Sequence, residues 1–459
     1  MGEVKIPINA YWGPQTQRAI ENFPVSGITF PSVFIHSLGV IKHACASVNR
    51  EFHLLEPILA DAITNACTEV IEGKFDDQFP LDIFQSGSGT STNMNANEVI
   101  STRANEILNG TRQTGAPVHP NDHVNMGQSS NDVIPTAIHV SACLLMHDLL
   151  LPSLELLQNA IRVKQENYAN VVKTGRTHLM DAMPITLGQE LSGWAAQIEH
   201  SIAGMRSALP RLSELAIGGT AVGTGINAPA GFGAFVAIKI ARLTGMSFSE
   251  TTNHFEAQSG QDAVVTLSGE LRTYATILIK IANDLRWMNS GPAAGLAEIR
   301  LPALQPGSSI MPGKVNPVIP EAARMVAAQV IGYDATIALA NSMGEFQLNV
   351  MLPVIAHSIL QSITLLANVS RLMAEKAIGG IEVNKEHLRE IVGVNAVIAT
   401  ILSPILGYEK TAEVINKARK EKKSVQNVVV EMGYLSEEKA ARILDPGVMT
   451  GPGLAGSAG

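Results

Sequence analysis

Hydrophobic positions recur along most of this chain with the period of an α-helix. Within 261–288, Leu271, Ala275, Leu278, Ala282 and Leu285 follow at steps of four and three, and Ile277, Ile281 and Met288 make the neighbouring face apolar too. A helix apolar on both flanks is packed on both flanks. The same pattern predicts long helices over 132–169, 187–215, 321–340 and 354–377, each longer than the usual globular helix. Strand-like alternation is confined to short runs, best at 4–8 and 25–30. The expected fold class is therefore mainly all-α, a bundle of weakly charged, Ala-rich helices that lose further wet surface on oligomerisation.

Polar, Gly-rich or Pro-rich segments separate these helices at 85–97, 115–131, 173–184, 218–233 and 300–320, and these are read as the loops where chemistry sits. The stretch 445–459 is rich in Gly and Pro and is expected to be irregular.

Composition narrows the picture. At 459 residues the chain exceeds what one hydrophobic core serves, so two or three domains are expected. With 46% hydrophobic and 16% charged residues, intrinsic disorder is excluded. The net charge of −8, from 33 Lys and Arg against 41 Asp and Glu, leaves no basic excess for nucleic acid, so any anion site must be local. Cys45, Cys67 and Cys143 lie far apart in apolar helical stretches and read as reduced, buried thiols. The first residues lack a basic-then-apolar secretory pattern, and a cytoplasmic location is the expectation. The uncharged stretch 346–370 contains Gln347, Asn349, Pro353, His357, Gln361 and Asn368; it reads as a helix buried in the bundle rather than a membrane span.

Several loops carry candidate chemistry. Between 300 and 320, Pro and Gly forbid regular structure while Ser308, Ser309, Lys314 and Asn316 bring hydroxyls, a cation and an amide together. Pro320 suits a first helical turn, whose N–H groups beside Lys314 favour an anion. It is not a nucleotide loop: five residues separate Gly307 from Gly313, and Val315 follows Lys314 where Ser or Thr is needed. Ser86, Ser88, Thr90, Ser91, Thr92 and Asn93 precede a helix in greater number than one cap consumes, as do Ser129, Ser130, Asn131 and Asp132. His178, between Arg176 and Asp181, is a candidate general acid or base at a loop-to-helix approach. His119 and His123 have ligand-like spacing, but Pro120 argues against a helix through both, and no metal is expected. The Gly-rich GTGINA from Gly223 follows no strand and is not a dinucleotide fingerprint.

Taken together, these loops resemble a known set. GSSIMPGKVNP at 307–317 resembles the signature of the fumarase/aspartase superfamily, and WGPQTQRAIENF, SGSGTSTNMNANEV, HPNDHVNMGQSSND and GRTHLMDAMPITLGQE agree with it across nearly the whole chain. Within that superfamily, Ser129-Ser130-Asn131, Thr177-His178 and Gly313-Lys314 are similar to class II fumarases rather than to aspartate ammonia-lyases, the close alternative.

The resemblance implies an all-α homotetramer of three-domain subunits, divided near 1–128, 129–386 and 387–459, with a twenty-helix core. Each active site would draw Ser88 and Thr90 from one chain, His178 from another and the Ser308 loop from a third. It implies reversible interconversion of (S)-malate with fumarate and water through an aci-carboxylate, without cofactor, metal, nucleic acid or membrane. By the same resemblance, Ser308 is the base and His178 the acid supported by Glu321. Ser88, Gly89, Thr90, Ser129, Ser130, Asn131, Thr177, Ser309, Lys314, Val315 and Asn316 hold the substrate. His119, Pro120, Asn121 and Asp122 correspond to a secondary anion site, expected to be weak because Ala116-Pro117-Val118 precede it where basic residues are common.

Overall fold

The computed structural model describes residues 2–112 and 115–453. The expected long helices form: Ser130–Leu145 and Leu151–Asn167 joined by a π-helical turn at Met146–Leu150, then Leu187–Leu212, Asp262–Met288, Val318–Asn341 and Leu352–Lys376. The π-turn falls just before Pro152, which has no N–H to return to the preceding turn. In Asp262–Met288 the whole stripe of Leu271, Ala275, Leu278, Ala282 and Leu285 is fully buried, with Ile281 and Met288 buried beside it. Two helical stretches, Ser130–Asn167 and Leu352–Gly380, are long and apolar enough to cross a membrane, but 72% of each apolar window is buried inside the chain. The first was not singled out by its sequence.

The chain divides into two compact units. One comprises 1–153, 201–275 and 326–368; the other comprises 154–200, 276–325 and 369–459. In the first, the helices Ser32–Glu51, Pro57–Ile71, Thr90–Asn109 and Ser130–Leu145 pack around Leu38, Ile41, Ile63, Val99 and Ile138. In the second, residues 398–444 enclose a small core of their own, built from Ile398, Leu402, Val414, Val425, Val428 and Leu444. The three cysteines are free and buried, and burial pushes the Cys143 thiol up to about 12.

The strand expectations were misplaced. No strand forms at 4–8, and 25–30 supplies only an isolated bridge from Thr29 to Asp82, because neither run finds a partner strand. Instead an antiparallel hairpin, Val172–Thr177 with Met180–Thr186, occupies a segment read as irregular. Its two-residue turn is His178-Leu179, both at positive φ (55° and 59°). Such turns are ordinarily announced by Asn or Gly, so the sequence carried no hairpin signal. Pro120 opens a π-helical turn, Pro120–Val124, with His119 outside it as an extended N-cap, so no helix runs through both histidines. The expected irregular tail contains a 3-10 helix at Pro446–Thr450, and 454–459 lie outside the described residues.

His139 shows how burial sets pH dependence here. Its Nδ1–H donates to the Glu214 carbonyl at 2.8 Å while Nε2 is buried without a partner, and burial pushes the imidazole down to about 4. The folded pKa lies below the unfolded one, so the stabilisation is complete above about pH 6.5 and lost as pH falls toward 4, by roughly 3 kcal/mol in all. Urea midpoints measured from pH 7 to pH 4 should fall more steeply for the parent than for His139→Gln; parallel curves would remove the assignment.

Candidate active site

In the first unit, two helix starts meet. Gly89, in the left-handed conformation at φ 72°, immediately precedes the Thr90–Asn109 helix, and a Cβ there would press on Ile134 at 3.0 Å. Ser129 caps the Ser130–Leu145 helix in a reciprocal box with Asp132. Hydroxyls then form a chain. Ser88 Oγ lies 2.7 Å from Thr90 Oγ1, which lies 2.8 Å from Ser130 Oγ. Asn131 Nδ2 donates to the Ala221 carbonyl at 2.8 Å. The predicted Ser88, Gly89, Thr90, Ser129, Ser130 and Asn131 are thus brought together.

Asp132 does more than cap. Its Oδ2 accepts from the Gly218 and Thr220 N–H groups at 3.1 and 2.9 Å, which fixes the 218–221 turn that receives Asn131. Full burial pushes its carboxyl up to about 6, opposed by these N–H donors and by the Ser129 N–H.

In the second unit, the 307–317 segment is a closed loop. Gly307 N–H donates to the Lys314 carbonyl at 2.7 Å, and Asn316 Nδ2 donates to the Gly307 carbonyl at 2.8 Å. A Cβ on Gly307 would meet the Lys314 carbonyl at 2.7 Å, so only glycine lets the loop close. Ser308 Oγ accepts the main-chain N–H groups of Ile310 and Met311 at 3.2 and 3.1 Å, a pair of donors that favours negative charge on this oxygen. Lys314 Nζ is held by Asn316 Oδ1 at 2.6 Å rather than by Ser308. Lys314, Val315, Asn316 and Glu321 line a cleft of about 760 Å³ together with Arg286, Asn289 and Asn384. Ser309 stands exposed beside Ser308. Pro320 falls in the first turn of Val318–Asn341, as its sequence position predicts.

Thr177 and His178 stand exposed at the hairpin tip, and no hydrogen bond joins His178 to Glu321 within the chain. The hairpin base is anchored by a cluster that leaves no signal in the residue pattern. Glu298, 1% exposed, places Oε2 2.7 Å from Lys173 Nζ and Oε1 2.7 Å from Arg176 Nη1, and Lys173 also bonds Glu190 at 2.5 Å. At the proposed secondary site, His119 Nδ1 accepts from the Asn121 and Asp122 N–H groups at 3.3 and 3.1 Å, and His123 Nδ1 accepts from the His119 N–H at 2.9 Å. Those amides are engaged by imidazole nitrogens.

A family model described as Lyase matches residues 2–332, and one described as Fumarase C C-terminus matches 398–451. The chain belongs to the class II fumarase family of lyases. It is 52% identical over 454 residues to the class II fumarate hydratase of Xylella fastidiosa, covering 99% of this chain and 95% of that protein. Against the class II fumarate hydratase of Mycobacterium tuberculosis it is 53% identical over 446 residues, covering 97% and 93%. The crystal structure of class II fumarase from Schistosoma mansoni superposes with a TM-score of 0.95 at 41% identity, covering 98% of this chain and 97% of that one.

Proposed function

We propose that this chain is a fumarate hydratase that interconverts (S)-malate with fumarate and water by anti elimination. The observation that carries the reading is the 307–317 loop, where Ser308 Oγ sits on two main-chain donors and Lys314 and Asn316 line a cleft. Removing a proton next to a carboxylate leaves an electron pair that the carboxylate absorbs as an aci-carboxylate, so fixed donors must already be in place. Lys314 and Asn316 answer that need; Ser88, Thr90, Ser130 and Asn131 grip carboxylate oxygens and orient the substrate.

In this reading Ser308 Oγ takes the C3 proton. The electron pair then returns to form the C=C bond as the C–O bond breaks, and His178 delivers a proton, through water, to the departing hydroxide. Glu321 supports His178, and no cofactor is called for. The proposal also assigns His119, Pro120, Asn121 and Asp122 to a weak secondary anion site.

The tetramer with sites shared among three subunits belongs to the same proposal, as do the three domains 1–128, 129–386 and 387–459. Two observations support assembly: Ala328, Gly332, Ala335 and Leu339 leave an uncharged face of the Val318–Asn341 helix exposed, and His178 has no acid partner among the described residues. The buried thiols fit a reducing cytoplasmic location, which cell fractionation checks. The relatives named above are fumarate hydratases, and nothing supports the aspartate ammonia-lyase alternative. Ultraviolet absorbance of fumarate should grow when the purified protein meets malate and stay flat with aspartate; the reverse pattern would overturn the reading. Light scattering on the same preparation should give four copies.

A further inference from the structure

Lys42 lies in the middle of the Ser32–Glu51 helix and is completely buried. Burying an ammonium costs several kcal/mol unless every donor is used well, so an apolar residue would be the default at this core position. Its Nζ donates to Asn125 Oδ1 and Gln128 Oε1, both at 2.9 Å. The same Asn125 oxygen accepts from Asn93 and Asn97, each at 3.2 Å. A cation admits only oxygens, so it fixes which way both amides face. Their nitrogens then donate within the loop: Asn125 Nδ2 to the Gln128 carbonyl at 3.2 Å, and Gln128 Nε2 to the Val124 and Met126 carbonyls at 3.1 and 3.2 Å.

That loop runs directly into Ser129-Ser130-Asn131. Asn93 stands one turn beyond Thr90 on the helix that supplies the other half of the hydroxyl chain. We propose that Lys42 is a positioning residue for substrate binding: through Asn125 and Gln128 it holds the Thr90 and Ser130 hydroxyls in register for a carboxylate. The proposal rests on reading those hydroxyls as substrate donors. Cys45, Cys67 and Asp132 face the ammonium; burial pushes it down to about 8, so it is still mostly charged at neutral pH.

The test compares Lys42→Met, Gln128→Met and Ser130→Ala in the assembled enzyme, reading kcat and KM for malate separately. Lys42→Met matches the length of the side chain without donors and should raise KM by about 10-fold or more with kcat within about 3-fold, because misregistered donors weaken binding more than chemistry. Gln128→Met severs one of the two contacts and should shift KM the same way by less; it decides the matter if Lys42→Met does not fold. A merely structural lysine would lower the amount of active enzyme and leave KM alone, which overturns the proposal. A raised KM in Ser130→Ala beside an unchanged KM in Lys42→Met also overturns it. An unchanged KM in Ser130→Ala removes the hydroxyl reading, and the Lys42 role with it.

Discussion

Ser308→Ala should lower kcat for malate dehydration by about 10²–10⁴ while KM changes by less than about 3-fold. The reason is local. Ser308 Oγ is the acceptor for the Ile310 and Met311 N–H groups, and losing it removes the atom whose ionised, proton-accepting form those donors stabilise. The loop does not depend on it for closure, because the Gly307–Lys314 and Asn316–Gly307 bonds remain. Binding groups elsewhere are untouched, so the loss falls on the chemical step. Steady-state kinetics in both directions check this, since the same oxygen returns the proton in hydration. A kcat close to that of the parent would dismiss Ser308 as the base.

Glu298→Ala should destabilise the fold by about 3–5 kcal/mol, because it leaves buried positive charge without its counter-charge. Glu298 is the shared partner of Lys173 and Arg176, and Lys173 is itself 1% exposed. Glu190 continues to balance Lys173, but Arg176 loses its only ion-pair partner among the described residues. The main chain at Glu298 is also fixed on both sides, donating to the Met288 carbonyl at 2.8 Å and accepting from Asn384 N–H at 3.0 Å. The defect therefore concentrates at Arg176, which adjoins Thr177 and lies two residues before His178. Urea unfolding at matched protein concentration measures the loss, and Glu298→Gln should fall between parent and Ala. A difference below about 1 kcal/mol would show that the cluster is not charge-balanced as described.

Much of this was legible from residue order. The helix 262–288 could be read from its stripe because each buried position recurs at helical spacing, and burial follows spacing whenever one element supplies its own face. The loops could be read because hydroxyls, Gly and Pro crowd there beyond any need of capping or turning. Lys42 left a fainter trace, a single cation in the apolar run from Ser32 to Val48, which composition alone would assign to a solvated face. The 172–186 hairpin left none. Its strands do not alternate, and its turn places His178 and Leu179 at positive φ without the residues that normally advertise one.

What the sequence determined by itself was the mainly α-helical architecture, the family, and the candidate chemical groups, since these depend on local spacing and short motifs. Tertiary structure alone decided which groups satisfy one another. Ser308 Oγ takes main-chain donors rather than Lys314, Asp132 ties a distant turn to its own cap, and Glu298 neutralises cations more than a hundred residues away in the chain. The physical reason is that a buried polar atom must find a partner wherever the packed chain brings one, and sequence separation says nothing about that distance.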